Sequence, residues 1–354
     1  MNDATDLHAV IAELVPGTRI ASMVALGNGL RARTYRTEVI ADGRSQSWVV
    51  KEFPQTSVHA NQEFGSYARL DKTVGVAPAL IAFDPARRVL ILEFLAHSVD
   101  LFVALRRTND PTTVMRMLGA LIARLIVATQ QAPDAADDVA ARECAALLAA
   151  WPKVAAWAGE FGLPRSPDLD RAIAAVTDCY ANGAPASLTQ GDPAPSNVAF
   201  TTDGQARLVD FEYGAQRHAL ADLAQWWIRC PLPEPWFEVL VDVVRGELLT
   251  ASVYQSAEAF DEDLAHVATY AAIYMFTWLP IGGALTKDLP WVGNWRVRQA
   301  LISTCGRGAR AARGARGLEA LAEWLTQLGA ALSHAWPASG DGAPDWNALV
   351  GRSG

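Results

Sequence analysis

The sequence predicts an α+β fold, with a small strand-rich lobe over residues 1–95 and a large, mainly helical lobe over 96–354. Three observations carry this reading. Strand-like runs crowd the first lobe, apolar residues recur at helical spacing after it, and 354 residues that are 51% hydrophobic suffice for a substantial core in one large or two medium domains. The first strands are Ile20–Leu26 and Thr34–Ile40, on either side of Leu26-Gly27-Asn28-Gly29-Leu30. Next comes Trp48–Phe53, then a helix over His59–Leu70, then Ala79–Phe83 and Val89–Leu92, the last after an Asp-Pro turn. Glu93-Phe94-Leu95-Ala96 forms the hinge. Asp110-Pro111 opens a long helix as N-cap and first-turn proline. Further helices are expected over Val139–Phe161, where Pro152 marks a kink or break, and over Asp168–Tyr180.

Residues 190–197 read QGDPAPSN, and 196–214 continue SNVAFTTDGQARLVDFEYG. The runs Asn197–Thr201 and Gln205–Val209 flank a Thr-Asp-Gly turn, a hairpin signal. An acid before an Asn, followed by a hairpin ending in Asp-Phe, is the pattern by which kinases hold a base and two metal ligands around one ATP. Phosphoryl transfer runs through a loose transition state, so a protein mainly positions the nucleophile and neutralises charge through Mg²⁺. Asp192 then orients the acceptor hydroxyl or amine, Asn197 binds one Mg²⁺ through its amide oxygen, and Asp210 holds the metals from the other side. Ordinary turns explain either piece alone; both in this order favour the chemistry.

The chain has four lysines among thirty basic residues, and one of them, Lys51, lies in an apolar strand. Strand alternation puts Val49, Lys51 and Phe53 on one face. A snorkelling lysine is the bland alternative. The position upstream of the Asp192 loop favours a contact with the α and β phosphates, with Glu63 of the following helix as its partner. Gly27 and Gly29 let backbone N–H groups approach phosphates, although a plain hairpin turn explains them equally well.

The loop, the DFE triplet and the following HALADLAQWW resemble the aminoglycoside phosphotransferase and choline kinase superfamily. That resemblance covers about Gly27 to the final helices and implies a two-lobed protein-kinase-like fold: a small antiparallel-sheet N-lobe with one helix and a large helical C-lobe. It implies Asp192 as the catalytic residue and Asn197 and Asp210 as metal ligands. Gly27, Gly29, Lys51, Glu63 and hinge residues Glu93 and Leu95 fall on the nucleotide side, with Gln190, Glu212 and Asp222 in support. Asp222 matches the family acid that braces the catalytic loop, and DFEY is close to choline and ethanolamine kinases. Gln190 stands where the family usually has His. The extra helices before the catalytic loop and the short path from DFEYG to the next helix argue for a small-molecule substrate.

The remaining features narrow the class. Cys144, Cys179, Cys230 and Cys305 show no paired spacing, and six histidines give no metal-ligand pair, which suits a reducing, cytoplasmic setting. The N-terminus is acidic and lacks the pattern of a signal peptide. Val267–Thr286 is uncharged and long enough to span a bilayer, but its Thr, Tyr and Pro residues favour a buried helix. Arg307, Arg310, Arg313 and Arg316 recur every third residue and read as a solvated helix face; nucleic acid is not an expected partner. A formal charge of −8 suits a cationic acceptor such as an aminosugar or amino alcohol, and equally suits mere solubility. The expected activity is transfer from ATP, or GTP, with Mg²⁺, to a small-molecule hydroxyl. A nucleotide-binding pseudokinase with a regulatory or scaffold role is the alternative.

Overall fold

The structure is a computed structural model that describes residues 6–28, 31–41, 43–70, 75–130, 139–183, 185–230, 232–279, 284, 287–292, 295–340 and 342–346. Gly29 and the end of the Val267–Thr286 stretch lie outside the described residues. The chain divides into two compact units, Met1–Asp100 with Asn197–Gly214, and Leu101–Ser196 with Ala215–Gly354.

In the first unit five strands form an antiparallel sheet: β1 (Arg19–Asn28), β2 (Arg33–Ala41), β3 (Arg44–Glu52), β4 (Leu80–Asp84) and β5 (Val89–Glu93), in the order β1-β2-β3-β5-β4. Alternation along β3 sends Trp48 and Val50 into a cluster with Val39, Val89 and Ile91 that is closed by Leu7, Val10 and Ile11 of a helix, α1 (Leu7–Leu14). Asp6 caps that helix by accepting from the N–H groups of His8 and Ala9. Lys51 therefore projects from the opposite face, paired in register with Thr34 on one side and Leu90 on the other. A second helix, α2 (His59–Arg69), packs against β4, with Phe64 stacked on Phe83 at 4.0 Å between centroids. The segment that returns to this unit carries the expected hairpin, β7 (Val198–Phe200) paired with β8 (Ala206–Leu208) around a turn in which Gly204 takes φ +78°. Between β5 and β7 in the chain comes β6 (Ala186–Thr189), which belongs to the second unit.

The second unit is mostly helical: α3 (Leu101–Arg107), α4 (Pro111–Thr129), α5 (Val139–Gly159), α6 (Pro167–Asn182), α7 (Ala221–Ile228), α8 (Glu234–Thr250), α9 (Ala257–Trp278), α10 (Val297–Arg313) and α11 (Glu319–Ala335). Its strands are β6 paired with β9 (Ala215–His218), and the short pair β10 (Pro290–Val292) and β11 (Trp295–Arg296). One core cluster joins residues of α5, α6, α7, α9, α10 and α11. The apolar stretch flagged as long enough for a bilayer falls largely in α9, where Val267–Phe276 is almost wholly buried in this core. Thr269 satisfies its hydroxyl on the Ala265 carbonyl at 2.7 Å. Helices α9 and α10 touch closely enough that a Cβ on Gly308 would lie 2.6 Å from that of Ala272.

At Pro152, where a kink or break was expected, there is no break: α5 runs on through this exposed residue, so the carbonyl released by the missing N–H can turn to water. One local reading changes. Arg307 is not a solvated stripe residue. It is half-buried on α10, donates to the carbonyls of Trp227 and Leu232 at 2.8 and 2.9 Å, and lies 3.9 Å over the Trp227 ring. Arg310, Arg313 and Arg316 are the exposed members.

Candidate active site

In the first unit the sheet, α2 and the hairpin bring three charges together. Lys51 Nζ donates to Glu63 Oε1 at 2.6 Å and to Asp210 Oδ1 at 2.6 Å. Glu63 is fully buried on α2, and its Oε2 has no hydrogen-bond partner. Tyr67, one turn further on, is also buried and meets Phe211 edge-on at 5.3 Å. Burial alone would lower the Lys51 ammonium; Glu63 and Asp210 outweigh it and hold the group above its usual range. An ion pair should pull its acid down, yet the Glu63 carboxyl is pushed up, because complete burial outweighs Lys51 and the nearby Asp210 charge adds to the rise. The group is thus one cation shared by two acids.

Asp210 follows β8 with φ +63°, a left-handed conformation that costs a non-glycine residue roughly 1–3 kcal/mol. What holds it there is local. Phe211 is fully buried, the Val209 N–H donates to the Asn197 carbonyl at 3.0 Å, and the Gly214 N–H donates to the Phe211 carbonyl at 2.8 Å. Gly214 must be small, since a Cβ there would lie 2.2 Å from Ser66 Oγ. Asn197 and Asp210 are therefore tied across the ends of one hairpin. Glu212 pairs with Arg31, which also lies 4.7 Å over the Tyr213 ring.

The other residues expected on the nucleotide side are placed as follows. Gly27 lies on β1 opposite Thr34, next to a bulge. Glu93 ends β5; its N–H donates to the Ala79 carbonyl, and its carboxylate accepts from Arg207 at 2.9 Å and from the Ala79 N–H at 3.1 Å. The Leu95 carbonyl accepts from Ser98 Oγ at 2.9 Å.

In the second unit β6 delivers the Asp192 loop. Behind it lies a buried network in which Arg217 of β9 forks onto Glu143 at 2.7 and 3.0 Å and donates to Thr189 Oγ1 at 2.8 Å, while Tyr180 donates to Glu143 at 2.8 Å. The loop itself is braced by Asp222 in the first turn of α7, which accepts from the N–H groups of Gln190 at 2.6 Å and Gly191 at 2.9 Å. Burial pushes the Asp222 carboxyl up, and those two donors pull it partly back. Gln190 Oε1 accepts from the Asp192 N–H at 2.8 Å. Arg229, just past α7, donates to Asp192 Oδ1 at 3.2 Å and to the Gly191 carbonyl at 3.2 Å, a contact that sequence reading missed.

Among the described residues one cluster has the makings of a metal centre: Cys179, His218 and Asp263, each with a ligand atom within 4.8 Å of the others. Its chemistry is wrong for that. His218 Nδ1 accepts from the Leu220 N–H at 3.2 Å, so the neutral ring carries its proton on Nε2, facing Asp263 Oδ2 at 3.5 Å. Burial also pushes the Cys179 thiol up to about 12.

The sequence profile of the phosphotransferase enzyme family matches residues 22–260, most of the chain, and the chain belongs to that family. It is thereby a small-molecule phosphotransferase. No curated protein matches it in sequence. Among solved structures it is similar to a choline/ethanolamine kinase family protein from Mesorhizobium loti, at 17% identity and TM-score 0.54 over 93% of this chain and 98% of that one. It is also similar to LicA, a choline kinase from Streptococcus pneumoniae, in complex with AMP, at 14% identity and TM-score 0.50 over 88% and 98%. The gentamicin complex of APH(2″)-IIa matches at 13% identity and TM-score 0.50 over 87% and 96%. Likenesses at these identities show the fold, which is protein-kinase-like.

Proposed function

We propose that this chain transfers the γ-phosphoryl group of ATP, or GTP, to a hydroxyl of a small molecule. The observation that carries this reading is the Lys51–Glu63–Asp210 group, one cation shared between a buried acid and a strained, partly exposed one. A structural ion pair needs no second carboxylate and no left-handed backbone. In the proposed reaction Lys51 contacts the α and β phosphates, Glu63 fixes the ammonium, and the acceptor proton passes to Asp192. The acceptor oxygen then bonds to the γ-phosphorus as the bond to the β,γ-bridging oxygen breaks, and the nucleoside diphosphate leaves.

Asn197 and Asp210 offer hard oxygen donors of the kind Mg²⁺ takes, and the bond from the Val209 N–H to the Asn197 carbonyl closes the hairpin whose two ends carry them. These residues would hold Mg²⁺, which would supply neutralisation of phosphate charge. Gly27 supports a backbone approach to phosphate, Glu93 and Leu95 belong to the nucleotide side, and Glu212, paired with Arg31, is a supporting residue. The acceptor class we favour is a cationic amino alcohol or aminosugar, on the net charge of −8 and on the choline/ethanolamine and gentamicin names of the similar structures. The four cysteines, all free thiols, suit a cytoplasmic setting.

The test is nucleoside diphosphate release with Mg·ATP or Mg·GTP and choline, ethanolamine, gentamicin or glucose as acceptor. One acceptor should support turnover, and Asp192→Ala should lower it by roughly 10²-fold or more while Mg·nucleotide still protects against heat. Nucleotide protection without release from any acceptor points to the pseudokinase; no protection at all sinks the reading.

A further inference from the structure

Helix α7 holds the catalytic loop at two points, and only the first belongs to a motif. Asp222 and Arg229 are seven residues apart, which is two helical turns, so they share one stripe. At the start of that stripe Asp222 accepts the Gln190 and Gly191 N–H groups. At its end Arg229 donates through Nη1 to the Gly191 carbonyl and through Nη2 to Asp192 Oδ1, both at 3.2 Å. Gln225 lies between them, and its Oε1 accepts from Arg229 Nη1 at 2.6 Å, which fixes the guanidinium plane. The Arg229 side chain is 22% exposed and Asp192 29%, so the pair sits at the margin of the unit, where an unheld aspartate would sample several rotamers.

We propose that Arg229 is a positioning residue for Asp192 in phosphoryl transfer, a role that rests on the kinase reading above. Its planar fork ties the loop backbone and the carboxylate of the same loop to one rigid element. The carboxylate is thus oriented before substrate arrives. Lysine, a single flexible point charge, replaces the charge and not the fork. Arg229 does not touch the nucleotide in this assignment, so its loss should act on turnover rather than on nucleotide binding.

The experiment compares wild type, Arg229→Ala, Arg229→Lys and Gln225→Ala by nucleoside diphosphate release with the four acceptors above, alongside thermal shifts with Mg·ATP. Arg229→Ala should lower kcat by about 10- to 100-fold, the range that misplacing a catalytic group by about 1 Å produces, with the Mg·ATP shift unchanged. Arg229→Lys should recover part of the loss, and millimolar guanidinium ion should restore part of kcat to Arg229→Ala alone. An unchanged kcat in Arg229→Ala overturns the assignment. So does a loss that comes with an equal loss of Mg·ATP protection and answers to neither lysine nor guanidinium. Should Arg229→Ala fail to fold, Arg229→Lys and Gln225→Ala decide: a lowered kcat at wild-type melting temperature supports the role, and wild-type kcat in both overturns it. Wild type inactive with every acceptor overturns the kinase reading and this role with it; wild-type activity with unaffected variants overturns only the role.

Discussion

Replacing Asp222 by alanine removes the acceptor of two backbone N–H groups, those of Gln190 and Gly191, in a setting where Asp222 is 4% exposed. A hydrogen bond to a charged group contributes about 1.5–3 kcal/mol, so two contribute about 3–6 kcal/mol. Part of this returns, because burial disfavours the ionised carboxylate that is removed. The expected net loss is about 2–4 kcal/mol in urea unfolding, with a drop in turnover because the Asp192 loop loses its anchor. Asp222→Asn keeps one acceptor oxygen and turns an amide NH₂ toward the second N–H, so it should lose at least one of the two bonds. The pH dependence has a definite sign. The folded carboxyl is raised above its unfolded value, so its contribution to stability is fullest below the unfolded pKa and declines as pH rises through the folded one. The stability gap between wild type and the untitratable Asp222→Asn should therefore narrow as pH climbs from about 4. Unfolding of Asp222→Ala within about 0.5 kcal/mol of wild type, with turnover intact, would refute the brace.

Lys51→Met and Asp210→Asn should each weaken the thermal protection given by saturating Mg·ATP, since ligand stabilisation follows RT ln(1 + [L]/Kd); full protection in both would remove the shared-cation group from nucleotide binding. Arg217→Met strands the Glu143 carboxylate and the Tyr180 hydroxyl that bonds it, and should cost about 3–5 kcal/mol in chemical denaturation. A cost below about 1 kcal/mol would show that the Arg217 network is not what secures the start of the Asp192 loop.

Much of the fold was legible because its signals are local. The strands of the sheet, the N-cap of α4 and the hairpin after Asn197 each follow from a few adjacent residues. Lys51 stood out as a charge in an apolar strand, and Glu63 as the acid on the next helix; their 2.6 Å contact needs only β3 and α2 to be neighbours. What stayed hidden depends on partners remote in sequence. Arg229 finds its partner 37 residues back, and within the apolar run QWWIRC it carries no local pattern; its offset of seven from Asp222 was the available signal. Arg217 looks like a surface residue of a short strand until Glu143, 74 residues away, buries it. α1 is eight residues long, too short for periodicity to mark it clearly. Arg307 was misread because a three-residue spacing drifts around a helix, so one member of the run turns inward.

Gln190 is a departure from the usual histidine of the family that the loop resembles, and its surroundings show how the loop accommodates it. The residue is 2% exposed, its N–H is taken by Asp222, and its side-chain oxygen accepts the Asp192 N–H across a two-residue span. A neutral histidine offers one acceptor and one donor, and an amide offers at least as many, so the loop's need for an acceptor at this point is met. The two side chains differ in titration. A histidine loses its acceptor on protonation near pH 6.5, whereas an amide keeps it throughout. Glutamine here keeps an acceptor for the Asp192 N–H and removes one source of pH sensitivity from the turn, which is a change in how the loop is held.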